Sequence, residues 1–146
     1  YCMIRRATIL DISALTVMLN TMHTETEIEV PKINTMKLIN KINDLVHNGL
    51  IFVCVKDNKI QGSIAGQICQ DWWSEDKYIA DTWFYVFKEQ RKSDVAKKLL
   101  QTYIKTAKDA KLKIRLGHIF SGDLHRKDKF FERLGFVKAG SIFVEA

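Results

Sequence analysis

Apolar residues recur along the chain in two rhythms, and each change of rhythm marks an element. Ile12, Leu15, Leu19 and Met22 stand three or four apart, the spacing of one helix face. Ahead of them Thr8 precedes Asp11 by three positions, the spacing of a capping box. Ile39, Ile42 and Val46 repeat the helical rhythm, with Asn34 placed to cap that helix and Gly49 to end it. A short strand is expected at 3–6, before the first helix, and polar 24–31 reads as a loop holding the only proline, Pro31.

The rhythm then shortens. Residues 50–55 are apolar and rich in β-formers, Lys56-Asp57-Asn58-Lys59 is turn chemistry, and 60–69 extends again, which predicts a hairpin. A polar connection at 71–77 carries Trp72 and Trp73, and 78–87 is dense in aromatic and branched residues, as a central strand would be. Val95, Ala96, Leu99, Leu100, Tyr103, Ile104 and Ala107 form the clearest helical stripe, with Lys97, Lys98, Lys105 and Lys108 outside it. A strand at 112–119, a loop at Ser121-Gly122-Asp123, and a short helix with Phe130, Phe131 and Leu134 ending at Gly135 follow. Residues 136–144 read as the last strand. The order β-α-α-β-β-β-α-β-α-β predicts a mixed α/β layer around one sheet.

The length, 146 residues, fits one domain spanning 1–146. Apolar residues make up 47% and charged residues 27%, a balance that excludes disorder, collagen and a disulfide scaffold. The longest aliphatic run, 50–55, is far short of the roughly 20 residues that a bilayer span needs. Arg5 and Arg6 break up the amino-terminal segment as a signal peptide, so the expectation is a soluble, cytoplasmic domain with no membrane partner. Cys2, Cys54 and Cys69 are odd in number, and the surroundings of Cys54 are apolar, which suggests reduced thiols. No pair of cysteines or histidines has zinc spacing, and no metal is expected. The net charge of +6 favours an anionic partner: nucleic acid, an acidic protein surface or a phosphorylated cofactor.

The informative stretch runs from Tyr85 to Leu100, where a strand ends, a basic loop turns and the amphipathic helix begins. Helix amino termini expose unpaired N–H groups and the positive end of a dipole, and so accept phosphate oxygens. Arg91, Lys92, Lys97 and Lys98 surround that point. Here the sequence resembles the GNAT superfamily of N-acyltransferases, whose signature at this junction is Gln/Arg-x-x-Gly-x-Gly/Ala. Arg91-Lys92-Ser93-Asp94-Val95-Ala96 occupies it, followed by Leu99-Leu100. Phe130-Phe131-Glu132-Arg133-Leu134-Gly135-Phe136 is similar to the family's aromatic-Tyr-Glu-Lys-Leu-Gly-Phe run, and the element order matches along the whole chain.

The resemblance implies a central mixed sheet of about six to seven strands flanked by about four helices. It also implies transfer of an acetyl group from acetyl-CoA, as cosubstrate, to a primary amine by direct attack in a ternary complex. Val86 and Phe87 would offer main-chain groups to the pantetheine, and Lys92, Ser93, Asp94, Val95 and Ala96 would hold the pyrophosphate, with Arg91 meeting the phosphates by charge. Two residues depart from the pattern. Asp94 replaces the first glycine, adding bulk and a like charge beside the pyrophosphate; its other role is that of an ordinary helix start. Phe131 stands where relatives place a tyrosine that protonates the departing thiolate, and phenylalanine has no proton to give. The family's asparagine on the same segment is also missing, with Leu124 the nearest match.

Three residues are the catalytic candidates. The family's acidic position on the strand before the signature falls on Ala80, with Asp81 beside it as base. The Tyr85 hydroxyl could relay a proton or act as the missing acid. His125, like His118, flanks the loop after the next strand and can exchange protons near neutral pH, although its basic neighbours Arg126 and Lys127 also suit a solvated face. Trp72 and Trp73 suit a substrate wall, a cover for the core edge or a homodimer contact. Two alternatives stand beside the enzyme. One is a protein of the same fold that binds CoA without turnover. The other is a basic nucleic-acid-binding protein using Lys97, Lys98, Lys105, Lys108, Lys111 and Lys113 with the run from His125 to Lys129, although no nucleic-acid motif supports that partner.

Overall fold

The computed structural model describes residues 2–117 and 124–146. Five strands form one sheet in chain order: β1 (Met3–Arg6), β2 (Leu50–Lys56), β3 (Lys59–Gln70), β4 (Lys77–Val86) and β5 (Lys113–Arg115). The first four pair antiparallel and β5 joins β4 in parallel, so the sheet is mixed. Helices α1 (Ile12–Thr24) and α2 (Thr35–Asn48) cover one face; α3 (Val95–Asp109) and α4 (Leu124–Arg133) cover the other.

Local chemistry sets most boundaries. Thr8 accepts from the Leu10 amide at 3.2 Å, while Asp11 accepts from the Thr8 amide at 2.8 Å, closing the expected capping box on a 3-10 turn before α1. Asp11 also takes both guanidinium nitrogens of Arg5 at 2.8 and 2.9 Å, tying β1 to the helix start. Asn34 caps α2 through the Lys37 amide at 3.0 Å. Asp57 and Asn58 both have positive φ, 52° and 60°, as a two-residue hairpin turn requires. Gly49 closes α2 for a different reason from the one its position suggests. Its φ is negative, and a Cβ there would come within 2.6 Å of the Gly66 carbonyl oxygen, so close approach to the sheet demands glycine.

The two cores lie on opposite faces. Leu15, Met18, Leu19, Ile42 and Leu45 of the first helix pair bury against Ile51, Val53, Ala65, Trp83 and Tyr85. On the other face the α3 stripe Val95, Leu99, Leu100, Tyr103 and Ala107 packs on Leu50, Phe52, Ile64, Ile79 and Val86. Strand alternation sends successive β4 side chains to opposite cores. Emptying a buried position such as Leu99 to alanine costs about 2–5 kcal/mol by loss of burial and an unfilled cavity.

Three expectations change. Cys2 and Cys54 form a disulfide with Cα atoms 5.8 Å apart instead of remaining reduced, and Cys69 alone is a free thiol. The register Ile4↔Cys54 explains the pairing, because Cys2 lies two residues from the position facing Cys54 and so on the same face. The expected strand at 112–119 is confined to Lys113–Arg115; His118 and Ile119 lie outside the described residues, as does the loop at 121–123. Residues 136–146 form no ladder, which leaves five strands among the described residues where six to seven were expected. Ala139-Gly140-Ser141 interrupts the apolar run there, and Val137, Ile142, Phe143 and Val144 are exposed without a core to face.

Candidate active site

β4 and β5 run together for three residues only, Tyr78↔Lys113, Ile79↔Ile114 and Ala80↔Arg115, and then part. Arg115 fixes this end: it binds the Asp71 carboxylate at 2.9 and 2.6 Å and lies 3.8 Å from the centre of the Tyr78 ring. Among the described residues, β4 continues beyond Ala80 to Val86 without β5 beside it. At the fork, the Asp81 carboxylate accepts the Gly117 amide at 2.9 Å, so a side chain takes the place of the next ladder bond. The opposite ladder carries a bulge here, since Ala65 pairs with Trp83 but Gly66 pairs with Asp81, leaving Thr82 as the extra residue. Burial pushes the Asp81 carboxyl up to about 6, against the Gly117 hydrogen bond that works to lower it. A carboxyl poised there can take up and give back a proton near neutrality.

The open length of β4 leads through residues 87–94 to the start of α3. The Phe87 amide donates to the Gln61 carbonyl at 3.0 Å, and by strand alternation the main-chain groups of Val86 point the other way, toward the open edge. The Phe87 carbonyl accepts the Gln90 amide at 2.9 Å, so both its main-chain groups have partners within the chain. After a 3-10 turn at Lys88–Gln90, Ser93 donates to the Gln90 carbonyl at 2.5 Å and accepts from the Val95 amide at 3.3 Å. Asp94 is the residue before α3, yet its side chain caps nothing. It turns outward to Lys98, 3.1 Å away, one helical turn on. The early α3 amides of Ala96 and Lys97 have no intrahelical acceptor, as at any helix start. The like charge of Asp94 is thus partly neutralised and drawn off the helix axis.

A second cluster lies at the end of β4, on the face covered by α1. Tyr85 donates a hydrogen bond to the Glu25 carboxylate, just past the end of α1. Arg91 donates to Glu25 at 2.5 Å and to the Val86 carbonyl at 2.9 Å, and its guanidinium lies 5.2 Å from the centre of the Tyr85 ring. Phe87 stands edge-on to Tyr85 at 5.6 Å. Burial works to raise the Glu25 carboxyl, but the Tyr85 and Arg91 hydrogen bonds hold it below the usual range. Burial and then the Glu25 hydrogen bond push Tyr85 up to about 12, which makes it a reluctant proton donor. Lys127 of α4 approaches the same cluster: burial and the Arg91 charge lower its amine, and Glu25 opposes them.

The structure therefore places Asp81, Tyr85, Val86, Phe87 and residues 91–96 along one strand, the loop that follows it and the first turn of α3, with Asp81 on the α3 side of the sheet and Tyr85 on the α1 side. His125 is exposed in the first turn of α4. Phe131 packs 6.4 Å from Phe84 and 6.5 Å from Phe136, within an apolar cluster on the α3 side. Trp72 and Trp73 stand exposed, edge to face at 5.4 Å, on the β3–β4 connection. Glu25 is the residue that sequence reasoning missed. It sits in a polar stretch read as loop, 66 positions from Arg91, and no spacing rule joins them.

The family model for the acetyltransferase (GNAT) domain matches residues 47–138, more than half of the chain. The chain belongs to the GNAT acetyltransferase family. A search of curated proteins returns no match. Among solved structures, the GNAT chain resembles a predicted acetyltransferase from Clostridium acetobutylicum solved with acetyl-CoA, with TM-score 0.79 and 19% identity over 100% of this chain and 96% of that one. It is also similar to glucosamine-6-phosphate N-acetyltransferase from Arabidopsis thaliana, with TM-score 0.74 and 14% identity over 100% and 98%. An aminoglycoside acetyltransferase from an uncultured soil metagenomic sample, in complex with sisomicin, matches with TM-score 0.69 and 16% identity over 100% and 94%. These likenesses are of fold. Among the described residues, no helix of this GNAT chain is long and apolar enough to cross a membrane.

Proposed function

We propose that the protein transfers an acetyl group from acetyl-CoA to a primary amine within a ternary complex. The observation that carries this reading is the edge of β4 left open among the described residues, which begins at the half-buried Asp81 and leads through residues 87–94 to the helix start of α3. An extended amide-bearing arm fits such an edge as an added strand, and its phosphates fit the free amides and positive charge at the helix start. The outward turn of Asp94 to Lys98 leaves those amides uncovered, so the residues present suit the ligand despite the missing glycine.

Acetyl-CoA supplies the acetyl group and a thiolate leaving group. Val86 offers main-chain groups on the open edge, and residues 92–96 and Arg91 receive the phosphates. Asp81 takes the proton from the incoming ammonium, since a carboxyl held near 6 is ionised at neutral pH yet basic enough to accept one. The C–N bond forms as the C–S bond breaks, the nitrogen gives its second proton to solvent, and the thiolate takes one from solvent, because Phe131 and its aromatic neighbours Phe84 and Phe136 carry no acid. That same apolar cluster favours the second reading, a GNAT-fold protein that binds CoA without turnover.

The experiment is a thiol-release assay with acetyl-CoA and a panel of amines that includes amino sugars, the acceptor type named for two structural neighbours, alongside calorimetric titration with CoA. Amine-dependent thiol release supports transfer. Binding with no release across the panel supports the second reading, and no binding at millimolar ligand overturns both.

A further inference from the structure

Arg91 stands in the signature position from which it would meet phosphate, yet its side chain is already engaged. Its guanidinium is held by the Glu25 carboxylate at 2.5 Å, by the Val86 carbonyl at 2.9 Å and by the face of the Tyr85 ring. Val86 is also where the open edge ends, so the arginine lies across the last main-chain acceptor of that edge. The carboxylate is largely enclosed, with 24% side-chain exposure, while the arginine keeps 40%. Glu25 is thus the more covered partner and Arg91 the more exposed one.

We propose that Glu25 and the cofactor phosphates compete for Arg91, so that cofactor binding draws the arginine off the Val86 carbonyl at the end of the β4 edge. The inference rests on the acetyl-CoA reading above. Charge balance gives the exchange its direction. A single carboxylate offers the guanidinium one negative charge, whereas a pyrophosphate at the α3 start offers two and is itself anchored by main-chain amides. Once Arg91 leaves, the Glu25 carboxylate keeps its hydrogen bond from Tyr85, and the charges of Lys88 and Lys127 lie near it. Glu25 is a positioning residue in this scheme, acting on the cofactor through Arg91.

The test is calorimetric titration of the full chain with CoA, in four forms: wild type, Glu25→Gln, Arg91→Ala and the double variant. Glu25→Gln should tighten CoA about threefold to tenfold, because it removes the competing charge. Arg91→Ala should weaken CoA by a similar factor, and adding Glu25→Gln to it should change nothing further. A purely structural ion pair gives the opposite sign, since loosening the loop would weaken binding. Circular dichroism checks folding, with Glu25→Ala as a second variant that must also tighten CoA. Wild-type binding with unchanged or weaker affinity in both Glu25 variants overturns the inference and leaves the cofactor reading standing. No CoA binding in any form overturns the cofactor reading itself, and this inference with it.

Discussion

The Tyr103 hydroxyl lies 2.1 Å from the point where a Cβ on Gly66 would stand. Gly66 is the register partner of Asp81, so the phenol of α3 reaches over the sheet beside the carboxyl at the β4–β5 fork. Among the described residues the Tyr103 oxygen is buried without a hydrogen-bond partner. Gly66→Ala should destabilise by about 2–4 kcal/mol, because tyrosine at full burial has nowhere to retreat. Tyr103→Phe should be neutral or stabilising by about 1 kcal/mol, since it removes an unpaired polar atom at nearly constant shape. In the double variant, Tyr103→Phe should recover part of the loss. Urea melts of the three variants check this.

Asp81 links stability to pH. With its carboxyl raised to about 6, the folded chain still holds a proton that the unfolded chain has released above about pH 4. Its contribution is fully present below that unfolded value and is lost as pH climbs through about 6. Asp81→Asn should flatten this fall and gain about 1–3 kcal/mol in the alkaline range, with little change in acid. Thermal melts against pH read it. As the base, Asp81 should give a rate that rises with pH through about 6, and Asp81→Asn should lower turnover by about a hundredfold or more.

Asp94 is expected to tax cofactor binding. Its ion pair with Lys98 is exposed and contributes little to stability. Asp94→Gly should therefore tighten CoA about threefold to tenfold by removing a like charge near the helix start. Dephospho-CoA, which keeps the pyrophosphate, should gain equally in calorimetry. Unchanged affinity for both would move the pyrophosphate away from this junction.

Phe131→Tyr tests the missing acid. The ring sits among Phe84, Phe130 and Phe136, so the added hydroxyl must reach the cluster's rim. If protonation of the thiolate limits the rate, turnover should rise about tenfold or more while the CoA affinity stays put. An unchanged rate in stopped assays of thiol release would place the limit elsewhere.

Much of the fold was legible because it rests on local chemistry. The Thr8–Asp11 box, the Asn34 cap, the Asp57-Asn58 turn and the stripe from Val95 to Ala107 each act within a few residues, and each stands where its pattern put it. Gly135, with φ 95°, ends α4 as expected. What was not legible depends on pairs distant in sequence. Nothing near Cys2 or Cys54 announces that β1 and β2 set them on one face. The polar run holding Glu25 looks like any loop until Tyr85 and Arg91 arrive from β4. The apolar residues near the carboxyl end suggested a strand because composition reports strand-forming tendency, whereas a ladder also needs a neighbour.

The parting of β4 from β5 makes β4 an inner strand for one part of its length and an edge strand for the rest. An exposed edge invites pairing by any extended chain, a hazard that folded proteins commonly blunt with a charge. Arg91 on the Val86 carbonyl supplies such a charge at the far end, and Asp81 on the Gly117 amide closes the near one. Between them, on the function proposed above, a bound arm would be met by main-chain atoms. Side-chain replacement along this stretch of β4 can then reshape what surrounds a bound strand while the hydrogen-bonding template itself passes unchanged from variant to variant.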